Sequence, residues 1–170
     1  MHTVVGGRRG YDRSTMPIVR PEYLAFLQTA RRAVLATIAP NGQPRQVPIC
    51  FAIVDNGDGA IIYSPLDEKP KHGSDPHELA RVRDLIVRPR VSLLADRWDE
   101  EWARLAVAST RSQASLVEPG DPEHDPAIVA LRARYRQYRT QRLEVCPLIR
   151  LEPTRTVWWC GADRLAMPGG

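Results

Sequence analysis

The chain moves between two hydrophobic periods. Near its start, Pro21 opens a stretch in which Tyr23, Leu24 and Leu27 recur at helical spacing. A proline at the first helical position is tolerated because its missing N–H would go unused there. After Arg31–Arg32 the period shortens. AVLATIA (33–39) reads as a buried strand, RQVPICFAIV (45–54) as a second and AIIYS (60–64) as a third. The intervening turns, PNG (40–42) and DNGDG (55–59), each supply an Asn–Gly pair suited to positive φ. The three strands are therefore expected to form a meander.

Further along, SPLDEKPKHGSDP (64–76) is polar and aperiodic, a loop that ends in the helix-start pair Asp75–Pro76. A helix is predicted through HELARVRDLI, with Leu79, Val82 and Ile86 on one face and Pro89 stopping it. RVSLLA (90–95) is a fourth strand. Trp102 to Ser109 and Ala114 to Val117 read as a hairpin pair. After the loop EPGDPEHDP (118–126), Asp125–Pro126 repeats the helix start, and IVALRARYRQY places Ile128, Leu131, Tyr135 and Tyr138 on one stripe. CPLIRLE (146–152) and RTVWWC (155–160) close the chain as strands. The first three strands have no crossover helices between them, which disfavours parallel winding. The expected fold is mainly β (α+β), a six- to seven-stranded antiparallel barrel with about three peripheral helices.

At 170 residues the length suits one domain. Residues 1–19 lack any period and are expected to be a loose tail, with a barrel domain over 20–165 and a short tail at 166–170. Arg8–Arg9 precedes no apolar stretch, so no export signal is expected, and Met16 is an alternative start. The most apolar stretch, 33–39, is far too short for a membrane helix. Three cysteines without a CxxC pair argue against a disulfide framework or a structural zinc site and suit a reducing, cytoplasmic setting. Of 24 cationic residues, only Lys69 and Lys71 are lysines, and both fall in DEKPK. A net charge of +4 is modest for a nucleic-acid binder and compatible with an anionic small ligand.

No dinucleotide fingerprint, P-loop, HExxH or GxSxG pattern is present. His2, His72, His77 and His124 lie in polar segments and are expected at the surface. Cys50 falls mid-strand as a small core residue. Arg132, Arg136 and Arg139 form a row at helical spacing, either a solvated face or a wall for an anion. Arg45 begins the second strand and Tyr63–Ser64 end the third, so in an antiparallel sheet these ends can lie side by side. With Lys69 and Lys71 just beyond, they make either a phosphate clamp or an ordinary solvated loop.

RxAxLATIxxNGxPxxVPI over Arg31 to Ile49 resembles the opening of the pyridoxamine 5'-phosphate oxidase-like split-barrel superfamily. DEKPK, LARVRDLIVRPRVSLLADRWDEEW (79–102) and ALRARYRQY (130–138) resemble its actinobacterial branch of coenzyme F420-dependent oxidoreductases. The resemblance spans roughly residues 20–163. It implies a homodimer with two cofactor sites between subunits, acting on a small conjugated substrate. The cofactor phosphate would be held by Arg45, Gln46, Val47 and Pro48, by Tyr63 and Ser64, and by Lys69 and Lys71. Trp158 or Trp159 would reach the ring, and Trp98 and Trp102 would wall the ring or substrate. Tyr63 or a bound water would supply a proton. FMN is the alternative cofactor, and a non-catalytic flavin-binding module the alternative role; no nucleic acid or membrane partner is implied. The sequence departs from the family where Val107, Ser109 and Ser112 replace an expected Trp, Arg and Gly, and where Asp84 replaces an Asn. Arg111 is a substitute for the missing cation whose side chain is expected on the opposite face from Ser109, or displaced.

Overall fold

The structure, a computed structural model, describes residues 21–55, 59–66 and 75–162. Both expected tails, and the DEKPK segment with Lys69 and Lys71, lie outside the described residues. Seven strands form one antiparallel sheet: β1 (Ala33–Ile38), β2 (Pro44–Ile49), β3 (Ala52–Asp55), β4 (Ala60–Pro65), β5 (Arg90–Arg97), β6 (Ala106–Val117) and β7 (Leu148–Cys160). Their spatial order is β2-β1-β5-β6-β7-β4-β3. The outermost strands, β2 and β3, are joined through only Cys50 and Phe51. So short a link requires the sheet to curl until its two edges approach, without a ladder between them. The result is a split barrel.

Three details differ from the sequence reading. The single strand expected over 45–54 is two strands, the first paired with β1 and the second with β4. The meander is thus two hairpins at opposite ends of the sheet order. The hairpin expected within 102–117 is instead one continuous strand, β6. Its inward positions include Thr110 and Ser112, buried polar residues amid alanines that preserve the inside–outside alternation. The two closing strands are likewise one, β7, with an extra residue at the register shift opposite Arg111 and Ser112. Pro153 lies there and cannot donate to the ladder, while Thr154 turns its hydroxyl onto the Arg111 carbonyl at 3.0 Å.

Helix α1 (Pro21–Thr29) and α2 (Ala80–Val87) press Tyr23, Phe26, Leu27, Val82 and Leu85 onto the inner cluster of Leu35, Phe51, Ile62, Leu93 and Leu151. The Tyr23 hydroxyl bonds Thr110 across that interior. Asp75–Pro76 starts only a 3-10 turn, Pro76–Glu78, and Leu79 is extended, so α2 begins later than expected. Its buried face is then Val82, Asp84 and Leu85, and Ile86 is 61% exposed instead of facing the core.

Helix α3 (His124–Arg134) covers a second cluster, in which Tyr63, Leu131, Tyr135, Tyr138 and Leu148 pack against β3, β4 and β7. The helix ends at Tyr135, and a 3-10 turn, Arg136–Arg139, still delivers Tyr138 to the core. Arg132 and Arg134 are structural. Arg134 donates to the carbonyls of Leu27, Gln28 and Ala30, capping the C-terminus of α1, and Arg132 donates to those of Tyr138 and Gln141. His124 is buried rather than at the surface, because its Nε2 satisfies the Cys146 carbonyl at 2.9 Å.

Candidate cofactor site

Strand β2 distributes its four candidates by alternation. Arg45 and Val47 turn toward the barrel interior, while Gln46 and Pro48 face out. Arg45 Nε lies 2.9 Å from Asp84 Oδ2, and the same oxygen accepts a hydrogen bond from the Thr37 hydroxyl at 2.8 Å. Asp84 is fully buried and Arg45 about half-exposed. The carboxylate therefore anchors one side of the guanidinium, and its two terminal nitrogens carry no bond to any described residue. An Asn at position 84 would leave Arg45 without a counter-charge; Asp84 fastens it.

On β4, Tyr63 and Ser64 point to opposite faces and both are buried. The Tyr63 hydroxyl donates to Glu123 Oε2 at 2.6 Å, and that carboxylate also accepts from Arg150 Nε at 2.9 Å. Burial first, and then the bond to Glu123, push the Tyr63 pKa well above its ordinary value. The phenol keeps its proton and directs it at Glu123. Ser64 sits opposite Ile149. Arg45 and Tyr63 do not lie side by side: Arg45 pairs with Thr37, whereas Tyr63 pairs with Ala52 and Arg150, because β2 and β4 are not neighbours in the sheet.

Although the lysine segment is outside the described residues, its two feet are described. Leu66 leaves β4 with its N–H on the Pro147 carbonyl, and Leu148 lies opposite both Pro65 and Val117. The chain returns at Asp75, where His77 donates to Asp75 at 2.8 Å and to Glu118 at 3.0 Å, one residue past Val117. Both feet thus stand at the same end of β4, β6 and β7. Two carboxylates, Glu118 foremost, raise the His77 pKa.

The tryptophans separate by face. Trp158 turns inward against Phe26, with ring centroids 5.0 Å apart, and Trp159 lies on the outer sheet face. Trp102, 79% exposed, rides a 3-10 turn, Trp102–Arg104, fastened to the end of β7. There the Gly161 N–H donates to Leu105 O at 2.9 Å, and a Cβ on Gly161 would come within 1.9 Å of the Trp102 carbonyl oxygen. Trp98 is equally bare.

The outer face joins these pieces, which sequence reasoning did not foresee. Cross-strand register places Pro48, Val34, Leu94, Ser109 and Val157 in one row. The row on one side carries Asp96, Val107 and Trp159, and the row on the other carries Gln46, Ala36, Ser92, Arg111 and Arg155. Leu94, Val157 and Trp159 are exposed, an apolar field beside a cationic one. Arg111 shares the face of Ser109, two residues away on the same strand, rather than the opposite face. Alternation along β6 was the signal that could have placed it.

The sequence profile of the pyridoxamine 5'-phosphate oxidase family matches residues 19–164. The chain belongs to that family. Its fold is shared by a conserved hypothetical protein of Mycobacterium tuberculosis, with 23% identity, 92% of this chain and 94% of that chain covered and a TM-score of 0.67. It is shared by the haem storage protein HutZ of Vibrio cholerae, with 20% identity, 85% and 95% coverage and a TM-score of 0.58. An F420 reductase also matches, with 17% identity, 82% and 98% coverage and a TM-score of 0.57. At these identities the likeness is one of fold. A search of curated proteins finds none that matches the chain.

Proposed function

We propose that the chain is a coenzyme F420-dependent reductase that works in the cytoplasm as a homodimer. The observation that carries this reading is the outer sheet face, where an exposed apolar row and a tryptophan adjoin a row of donors and cations. An exposed apolar sheet face is suited to a second copy, and guanidinium groups beside it that meet no carboxylate among the described residues are suited to an anionic cofactor. The donor set fits such a group: Arg45 presents two guanidinium nitrogens that carry no bond to any described residue, and the sequence supplies Lys69 and Lys71 between the two described feet of that segment.

When bound, a deazaflavin or flavin ring supplies the hydride chemistry. The chain's residues bind and shield it. Arg45, held by Asp84, Lys69 and Lys71 grip the phosphate, with Gln46 to Pro48 and Ser64 lining the approach. Trp159 and Trp102 flank the ring, and Leu94, Val107 and Val157 exclude water. Tyr63, its proton committed to Glu123, positions the end of β4, and the proton for the substrate comes from water.

A second reading, a binding module without turnover, draws on Val107 and Ser109. Both lie on the outer face where the family expects a large ring and a cation. The test is a titration of apoprotein with F420 and, separately, FMN, followed by fluorescence quenching, then assays with quinone and enone acceptors. Stoichiometric F420 binding with turnover supports the reductase. Tight FMN binding with no F420 response overturns the cofactor choice, and binding of either without turnover overturns the activity.

A further inference from the structure

Arg111 on β6 stands directly opposite Arg155 on β7, on the outer face. Side chains so paired have Cβ atoms roughly 5 Å apart, and like charges there repel. One row on, Arg90 stands opposite Gln113, and Ser92 faces Arg111 from β5. None of the three arginines meets a carboxylate among the described residues. Glu152, opposite Gln113, is the acid nearest to them in register, and it is taken by Arg150 at 2.8 Å. A depression of about 340 Å³ is lined by Arg90, Ser92, Arg111, Gln113 and Thr154, with Arg155 next to Thr154 in the chain and outside the lining itself. Ser112 also borders it, but its side chain belongs to the inward row of β6. The lining of the depression among the described residues therefore offers guanidinium, hydroxyl and amide groups, and no carboxylate.

We propose that this depression, with Arg155 at its rim, is an anion site that takes phosphate-type or clustered carboxylate groups. The repulsion between Arg111 and Arg155 is relieved when an anion lies between them. Guanidinium forks suit planar or tetrahedral oxyanions through paired charge-assisted hydrogen bonds. The register shift assists, because Thr154 is the extra residue there and widens the spacing beside Arg155. The anion has two possible sources, a free phosphate compound or the acidic tail of a bound cofactor.

The probe is inorganic pyrophosphate, titrated at constant ionic strength and followed by calorimetry and thermal melting. In the K69A/K71A background, which removes the phosphate grip proposed above, the protein should bind one per chain and melt higher with it. In that background the added R111S/R155S pair should bind about tenfold more weakly or worse. Without anion at low salt R111S/R155S should melt at or above wild type, since the like-charge pair is gone; this also verifies that it folds. Titration with F420 bearing or lacking its carboxylate tail separates the sources: selective loss of the tailed form in R111S/R155S assigns the tail to this site, and equal affinity for both forms assigns a free anion. Unchanged pyrophosphate binding when R111S/R155S is added to K69A/K71A, or its loss in K69A/K71A itself, overturns the proposal. So does dissociation of the dimer with anion binding intact, since these arginines would then serve the partner copy. Failure of F420 and FMN to bind while pyrophosphate still does would instead refute the reductase reading and leave this site standing.

Discussion

The Asp84 carboxylate offers a quantitative test of how the barrel holds its candidate phosphate ligand. One buried oxygen accepts from Thr37 at 2.8 Å and from Arg45 at 2.9 Å. Asp84→Asn keeps the shape and lets the amide oxygen still receive the Thr37 hydroxyl, so its cost is the charge-assisted part of the Arg45 contact. Hydrogen bonds to charged groups contribute about 1.5–3 kcal/mol. Arg45 is about half-exposed, and solvent screening reduces that figure to about 1 kcal/mol. Asp84→Ala also strands the buried Thr37 hydroxyl and opens a small void, for a total of about 3 kcal/mol. A chain of this size loses about 2–4 °C in melting temperature per kcal/mol. The Asn variant should therefore melt about 2–4 °C lower and the Ala variant about 6–12 °C lower. Urea unfolding of D84N, R45Q and the double variant closes a thermodynamic cycle. A coupling near 1 kcal/mol is expected. Full additivity would show that Arg45 does not depend on Asp84, and the picture of a fastened guanidinium would fail. If the same Arg45 grips a phosphate, D84N should also weaken cofactor binding with no change in binding of pyrophosphate at the outer depression.

Further outcomes follow from neighbouring groups. The His77 pKa is raised by Glu118 and Asp75, so the contact stabilises fully below about pH 6.5 and is lost as pH rises through the raised value. Because the group is exposed, the drop from pH 6 to pH 8 should be a few tenths of a kcal/mol by urea midpoint and should vanish in H77Q. Tyr63→Phe removes the bond to Glu123 while keeping the buried ring, and should cost about 1 kcal/mol by the same measurement with Arg150 still engaged. Lys69→Ala with Lys71→Ala should weaken cofactor binding by about 2–4 kcal/mol and leave the melting temperature unchanged. Leu94→Asp, placed on the exposed outer row, should leave the monomer folded and shift sedimentation from dimer to monomer at micromolar concentration. A dimer unaffected by it would place the interface elsewhere.

Most elements were legible in the chain because they rest on local rules. Short apolar runs marked β1, β4 and β5, Asn41–Gly42 marked the first hairpin, and Gly42 does adopt a φ of 86°. Where the rules misled, a non-local term prevailed. The run 45–54 is continuous in β propensity, yet its halves serve opposite edges of the sheet, and only barrel curvature breaks it at Cys50–Phe51. Within β6 and β7, polar Thr110 and Ser112 and the helix-breaking Pro153 looked like interruptions, but small hydroxyls fit the interior and a bulge absorbs the proline. His124 read as surface because its neighbours are polar, and its single buried acceptor is 22 residues away.

The candidate site divides along the same line. Residue type and order alone determined the family, the two isolated lysines after the third predicted strand, and the presence of Arg45, Tyr63 and Ser64. Those properties are written in adjacent residues. Only the tertiary structure decided that Asp84 secures Arg45, that Glu123 accepts the Tyr63 hydrogen bond, that Trp158 and Trp159 serve opposite faces, and that Arg111 stands opposite Arg155. Each depends on cross-strand register or on which helix covers which strand. Register is set by packing the whole sheet at once, since a slip of one residue would exchange every inward side chain for an outward one.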